Sequence, residues 1–549
     1  MAADVSERTL HDVYLRPWKA YAEAGGRGAM MAHNSVNAAP CHASAELMGW
    51  LRSQGAMAGA LLASDMCDVG LLGPRGFRVA ANLSAAAALA LGAGLDQELC
   101  NPTDGRGQAY THAAEAVAGG ALAQAALDRA AANALRPKFA AGLFDGRAFA
   151  NASQLGLLDA PAHRALARAA AAEGSVLLKN TPGLLPLALA GARIALIGPN
   201  AGCGDGAPSC AASLSQCGGY TNGGAPVATA LSAGLNASTS GGALVTFAAG
   251  CAHGGNDTSG FAAALAAAAA ADVVVFVGGD SGGLGWNQNS CGEDDDRADL
   301  DLPGVQAQLL DALLGVGRPV VLVLVHGRPV TFTRLGLLPR LGAVLAMWRP
   351  GAEGGSALWD MLGGRVPPSG RLAQSWVRRV GQVRSQASPW FSALQGDFDQ
   401  VDYNGDVMAG LSPDDARWSP AWPFMGGISY TAFSVSGVSA GVSADGRSLV
   451  ASANVSNTGA WPGKQVLGLF FSRPLSALVR SHLALAAFAK SDLLAPGAWG
   501  VVSLSAPLSA LASYDPAARA DAVEPGVYEL SVRTDSDSVV PGGTFLVTI

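Results

Sequence analysis

Charge is scarce in this chain: charged residues make up 14% of 549, where an average soluble protein carries about a quarter. The net charge is −7, and no basic stripe gathers that could track a phosphate backbone, which argues against nucleic acid as a partner. A neutral substrate suits this balance. The eight cysteines (41, 67, 100, 203, 210, 217, 251 and 291) include no CxxC pair, and His253 is the only histidine near the later group. Zinc wants paired ligands at short spacing, so a zinc site is disfavoured. No G-x-G-x-x-G is present. The glycine-rich loops Ile194–Gly204 and Val277–Gly283 both follow strands, yet neither has that spacing nor opens directly into a helix, which disfavours dinucleotide binding. No Ser-His-Asp grouping is legible. His326 closes an apolar run as Val-His-Gly and reads as a packed or hydrogen-bonded histidine.

The first residues, Met1 to Arg8, are polar and lack the apolar stretch of a signal peptide. One window, Phe261–Gly279, imitates a membrane span. Asp272 interrupts it and its two halves differ in periodicity, so it reads as an Ala-rich helix feeding the strand Val273–Val277. No membrane partner is expected.

What is present is apolar residue in quantity, half of the chain, enough for several buried cores. At about 150 residues per domain the length suggests three or four domains. Five sequons, at Asn82, Asn151, Asn236, Asn256 and Asn454, and an even cysteine count favour an oxidising compartment. The cysteines read as a mix of buried thiols and disulfides, with the pairing left open.

Residues 1–146 alternate helical and strand patterns, which implies a parallel sheet. Helices are expected over Val5–Ala24, Ser44–Gln54, Leu83–Ala93 and Thr111–Phe139, and strands at Gly28–Ala32 and in the run Ala56–Asp65. Residues 147–190 form a linker and a long Ala-rich helix ending in Gly174–Asn180. Over 191–379 the apolar strands Ile194–Ile197, Val273–Val277, Val320–Val325 and Ala343–Met347 suit a sheet covered on both faces. Residues 380–430 are an irregular linker. Over 431–549 short alternating strands separated by Gly, Pro and Asn turns read as a β-sandwich.

Two acidic sites carry chemistry. Asp65 ends the run Ala56–Asp65, and a carboxylate at the C-terminal tip of a barrel strand is a common catalytic position. A strand-end Asp that caps the next turn is the competing reading. The second is Cys291-Gly-Glu293-Asp-Asp-Asp296-Arg297, in a loop beyond a strand, where open α/β sheets bind ligands; a solvated charge run is its competing reading. Two such carboxylates suit glycoside hydrolysis, one attacking the anomeric carbon and the other protonating the leaving oxygen and later activating water.

The motifs resemble glycoside hydrolase family 3, nearest to its plant and fungal β-xylosidase-type branch, over nearly the whole chain. Met30-Met-Ala-His-Asn-Ser-Val-Asn37 is similar to M-C-S-Y-N-x-V-N, and Ala63-Ser-Asp65 to the nucleophile strand. Ala93-Gly-Leu-Asp96, Gly142-Leu-Phe-Asp-Gly146, Ser175–Asn180 and Ile197–Ala201 follow in the family's order. Glu293-Asp-Asp-Asp-Arg297 with Leu302-Pro-Gly-Val-Gln306, Pro350-Gly-Ala-Glu-Gly-Gly355, Pro368-Ser-Gly-Arg-Leu372 and Pro423–Phe433 complete the set. The resemblance implies the C-terminal part of a (β/α)8 catalytic barrel over 1–146, an α/β sandwich over 191–379 and a noncatalytic fibronectin III-like domain over 431–549.

It also implies an exo-acting retaining β-glycosidase, β-xylosidase-like ahead of β-glucosidase or α-arabinofuranosidase, acting on oligosaccharides or aryl glycosides. Asp65 would be the nucleophile and Glu293 the acid/base. Met30, His33 and Asn34 would contact the sugar, with His33 standing where the family has Tyr. No metal or organic cofactor is expected, because two carboxylates can run the whole cycle. A secreted or cell-wall location is expected. Only 64 residues precede Asp65, so relative to the family the chain is N-terminally truncated, and little hydrolase activity is expected of the 549-residue chain alone. The alternative is a noncatalytic carbohydrate-binding or scaffold protein. Oligomeric state is not legible.

Overall fold

The computed structural model describes residues 2–101, 105, 107–146, 151–202, 215–218, 243–282, 290–292, 297–332, 335–380, 420–478 and 480–549. They fall into two compact units, one built from the described residues up to 155 with 513–522, the other from the rest.

The first unit is a βα assembly. Strands Gly28–Met30, Leu61–Met66 and Gln97–Leu99 lie parallel with Leu61–Met66 in the centre. Their spacing along the chain leaves room for a helix between neighbours, as parallel pairing demands. Ala45–Arg52 and Leu83–Ala93 supply those helices. Each opens on a side-chain cap: Ser44 Oγ accepts from Leu47 N, and Asn82 Oδ1 from Ala85 N. Met48, Met57, Leu62, Leu72 and Leu95 fill the core beneath them.

Three local expectations need correction here. The strand begins at Leu61, because Gly55–Gly59 takes a 3-10 turn. The expected helix Thr111–Phe139 is two helices, Ala113–Ala118 and Gln124–Ala140. They part at Gly119-Gly120, where Gly120 takes φ +73°, a conformation that ends helices. The expected helix Val5–Ala24 passes through a π-helical stretch, Leu10–Leu15, before Arg16–Glu23. Pro17 at the start of that last segment offers no N–H to continue the α ladder backwards. The hairpin Ser513–Asp515/Ala520–Ala522 belongs to this unit, and Asp12 accepts from Ser513 Oγ at 2.6 Å and from Tyr514 N at 2.8 Å.

The second unit holds a six-stranded sheet and a β-sandwich. The sheet order is Val176–Asn180, Ala343–Ala346, Val320–Val325, Val273–Gly279, Arg193–Ile197, Leu244–Ala248, with the first strand antiparallel and the rest parallel. Residues alternate between two cores. Ile197, Val274, Phe276, Leu322 and Leu324 face one, and Leu196, Val275, Val277, Val323 and Leu345 the other. Burying both faces explains the unbroken Val/Leu runs, at about 1.5–3 kcal/mol for each large side chain. Val176–Asn180, which the sequence reading took as the end of the preceding helix, is instead this edge strand, since the helix Pro161–Gly174 stops at its glycine. The window Phe261–Gly279 resolves into the helix Phe261–Ala270 and the strand Val273–Gly279. Among the described residues no helix is long and apolar enough to cross a membrane.

The sandwich packs Phe433–Val442, Ser448–Asn457 and Trp499–Pro507 against Ala484–Lys490, Val466–Ser472, Val527–Asp535 and Ser538–Thr548. It is tied to the α/β layer by Glu173, which meets Lys464 and Lys490 (2.6 Å to the latter). Burial alone would raise the Glu173 carboxyl; hydrogen bonds from Lys464 and Lys490 outweigh it and hold it at about 2.

Candidate active site

Asp65 lies one residue inside the C-terminal end of Leu61–Met66. That strand is fixed from below by Asp96, whose Oδ2 accepts from Leu62 N at 2.9 Å and from Arg52 Nη2 at 2.6 Å, while Oδ1 accepts from Asn133 at 3.0 Å. Just beyond Asp65, Cys67 takes φ +57° and is disulfide-bonded to Cys100, at the end of the neighbouring strand. The tip therefore has little freedom to move.

The Asp65 carboxylate is partly open, with 27% of its side-chain surface exposed. Its Oδ1 accepts from Met66 N at 2.6 Å, so the capping role of a strand-end Asp is partly realised. Its Oδ2 lies 2.9 Å from His33 Nε2. The other ring nitrogen of His33 meets Asp68, whose side chain is 1% exposed. His42, fully buried, sits 3.5 Å from Asp68 and accepts the Asp65 backbone N–H at 3.4 Å. Burial lowers the pKa of His42 and the nearby Asp68 carboxylate opposes that only in part. His42 is thus a neutral ring at neutral pH, consistent with its acceptor role. Sequence reasoning missed Asp68 and His42. Both stood close by, three residues after Asp65 and next to Cys41, but only the fold shows that they converge.

Of the expected sugar contacts, His33 reaches Asp65. Met30 pairs with Ala63 on the neighbouring strand and is exposed. Asn34 accepts a weak hydrogen bond from Cys41 Sγ at 3.6 Å. Met30 and Asn34 line a cavity of about 400 Å³ with Tyr14, Trp18, Met31 and Trp50. This groups Met30 and Asn34 in an apolar hollow, whereas His33 is engaged by acids.

Glu293 and its acidic neighbours lie outside the described residues. The stem leading to them is described, within the second unit. Ser281 and Ser290 exchange backbone-to-hydroxyl hydrogen bonds of 3.0 and 2.8 Å. Ser290 Oγ also donates to Asp280 at 3.1 Å. Arg328 donates to Asp280 at 2.6 Å and to Ser290 O at 3.0 Å, and Arg349 donates to Cys291 O at 3.2 Å. His326, fully buried, packs against Trp348 and Trp376 with Nδ1 2.7 Å from Arg328 O. No group of three or more His, Cys, Asp or Glu among the described residues could hold a metal.

An accessible carboxylate on a rigid strand tip can serve as a nucleophile or stabilise a developing cation. Comparison with known proteins fixes the family. Residues 1–136 match the glycosyl hydrolase family 3 N-terminal domain, 175–411 its C-terminal domain, and 465–536 a fibronectin type III-like domain. A β-xylosidase of Formosa agariphila is 30% identical over 97% of this chain and 71% of its own length. The chain belongs to glycoside hydrolase family 3. A periplasmic β-glucosidase of Salmonella typhimurium is likewise 30% identical, over 98% of the chain and 70% of the relative. Among solved structures, the β-glucosidase of Listeria innocua in complex with isofagomine superposes with a TM-score of 0.82 at 27% identity, over all of this chain and 72% of that one. The fold of this family 3 hydrolase is thus two α/β domains followed by a fibronectin III-like domain.

Proposed function

We propose that this family 3 hydrolase is an exo-acting retaining β-glycosidase of β-xylosidase-like preference, releasing sugars from xylan-derived or related oligosaccharides and from aryl glycosides. The observation that carries the reading is the open Asp65 carboxylate at the tip of a parallel strand, in the segment that matches the family's N-terminal domain. In the first step an Asp65 oxygen bonds to the anomeric carbon as the glycosidic C–O bond breaks, and Glu293 gives its proton to the leaving oxygen. In the second, Glu293 takes a proton from water, whose oxygen replaces Asp65 on the sugar. A retaining mechanism requires its two carboxyl groups about 5–5.5 Å apart. The name of the Formosa agariphila relative supports the xylosidase preference; the glucosidases among the relatives make β-glucosides the second class to assay.

A secreted, glycosylated protein is part of the same proposal. It is supported by the Cys67–Cys100 disulfide and by exposed sequons at Asn82, Asn151 and Asn256.

The test is release of nitrophenol from nitrophenyl β-xyloside and β-glucoside by the purified protein and by Asp65→Asn. Turnover that falls by about 10³-fold or more in the variant, at unchanged melting temperature, supports the reading. Sugar binding without turnover that survives loss of both Asp65 and Glu293 would instead favour the noncatalytic carbohydrate-binding protein.

A further inference from the structure

We propose that His33 is the positioning residue of the nucleophile: an imidazole clamped between Asp65 and the buried Asp68, which fixes the attacking carboxylate rather than binding the sugar. The inference rests on the reading of Asp65 as nucleophile. Both ring nitrogens are occupied by carboxylates, Nε2 at 2.9 Å from Asp65 and Nδ1 against Asp68. With a carboxylate oxygen against each ring nitrogen, neither nitrogen is turned toward a hydroxyl of the substrate.

The clamp has an anchored end and a working end. Asp68 is 1% exposed, and its N–H donates to Asp65 O at 3.4 Å in a tight turn. Asp65 is 27% exposed and His33 53% exposed. Buried Asp68 thus holds the ring, and the ring holds the reactive oxygen. With Met66 N on Oδ1, both oxygens of Asp65 are fixed in place. The open His33–Asp65 pair contributes only about 0–1 kcal/mol to stability, whereas the His33–Asp68 contact braces a buried carboxylate. A purely structural role would therefore appear in the melting temperature alone, while an orienting role would appear in the chemical step.

The experiment follows covalent trapping by a 2-deoxy-2-fluoro-glycosyl fluoride, whose leaving group departs without acid assistance, so that the rate reports attack by Asp65. The His33→Gln variant is expected to be trapped about a hundredfold more slowly, the penalty for a reacting group displaced by about 1 Å. Its KM for nitrophenyl glycoside is expected to stay close to the parent value. Trapping at the parent rate would overturn the proposal, and so would a raised KM at unchanged kcat, the signature of a sugar contact. A parent protein that gives no adduct on Asp65 would instead overturn the nucleophile assignment on which the proposal rests.

Discussion

Asp65 and Asp280 occupy the same topological position, each at the C-terminal end of a parallel strand, yet their surroundings assign them opposite roles. Asp65 keeps 27% of its side chain open and faces a histidine. Asp280 is fully buried, donated to by Ser290 and Arg328. A fully buried carboxylate held by a serine and an arginine is a structural brace; one left partly open has an oxygen to offer a substrate. Topology marks both as candidates, and access and partners decide between them.

The sharpest way to break this comparison is to remove each acid in turn. Asp65→Asn should cost about 10³-fold or more in turnover while shifting stability by less than about 0.5 kcal/mol. Asp280→Ala should do the reverse at the level of the fold. It leaves Arg328 mostly buried without its carboxylate, a loss of about 3–5 kcal/mol readable as a lowered urea midpoint. If Asp280→Ala kept its stability and lost only turnover, the two acids would not be the contrasting pair described here.

A second pair of variants probes how firmly the Asp65 tip is held. Cys67→Ser with Cys100→Ser opens a cross-link spanning 33 residues. The chain-entropy account gives a loss of about 3–4 kcal/mol, measurable by thermal melting. Reduction with dithiothreitol should reproduce it.

The next effect separates the units by pH. Burial lowers His253 and His326, both in the second unit, to about 4, with the nearby Arg349 adding to the effect on each. Their folded values lie below the usual 6.5, so the stability they contribute is complete above pH 6.5 and is lost as pH falls toward 4. The cost approaches about 3 kcal/mol per histidine at the acid end, at about 1.4 kcal/mol per pKa unit. In His253→Asn the melting temperature should depend less on pH across that window.

The smallest effect belongs to Glu173. Held at about 2, it stabilises the fold above its usual value of 4.5, and that contribution fades as pH falls from there toward 2. Glu173→Gln should flatten this acid limb slightly, because its side chain is 35% exposed and screened by solvent.

Much of this was legible in the sequence. The unbroken runs Val273–Val277 and Val320–Val325 announced a doubly covered sheet, and period-two alternation announced the sandwich. The edge strand Leu244–Ala248 was not foreseen, because Leu244 is exposed and the segment lacks the fully apolar signature. Val176–Asn180 was hidden by the Ala-rich helix before it. At the site, Asp65 and His33 were named from motifs. Asp68 and His42 were not, since a buried network depends on convergence in space that no local spacing encodes.

The central claim is that Asp65 is the nucleophile. Peptide mapping of the protein after reaction with a 2-deoxy-2-fluoro-β-xylosyl fluoride tests it most directly. The account predicts one sugar adduct, on the Asp65 carboxylate. An adduct on Asp68, Asp280 or any other carboxylate, with Asp65 unmodified, would contradict it.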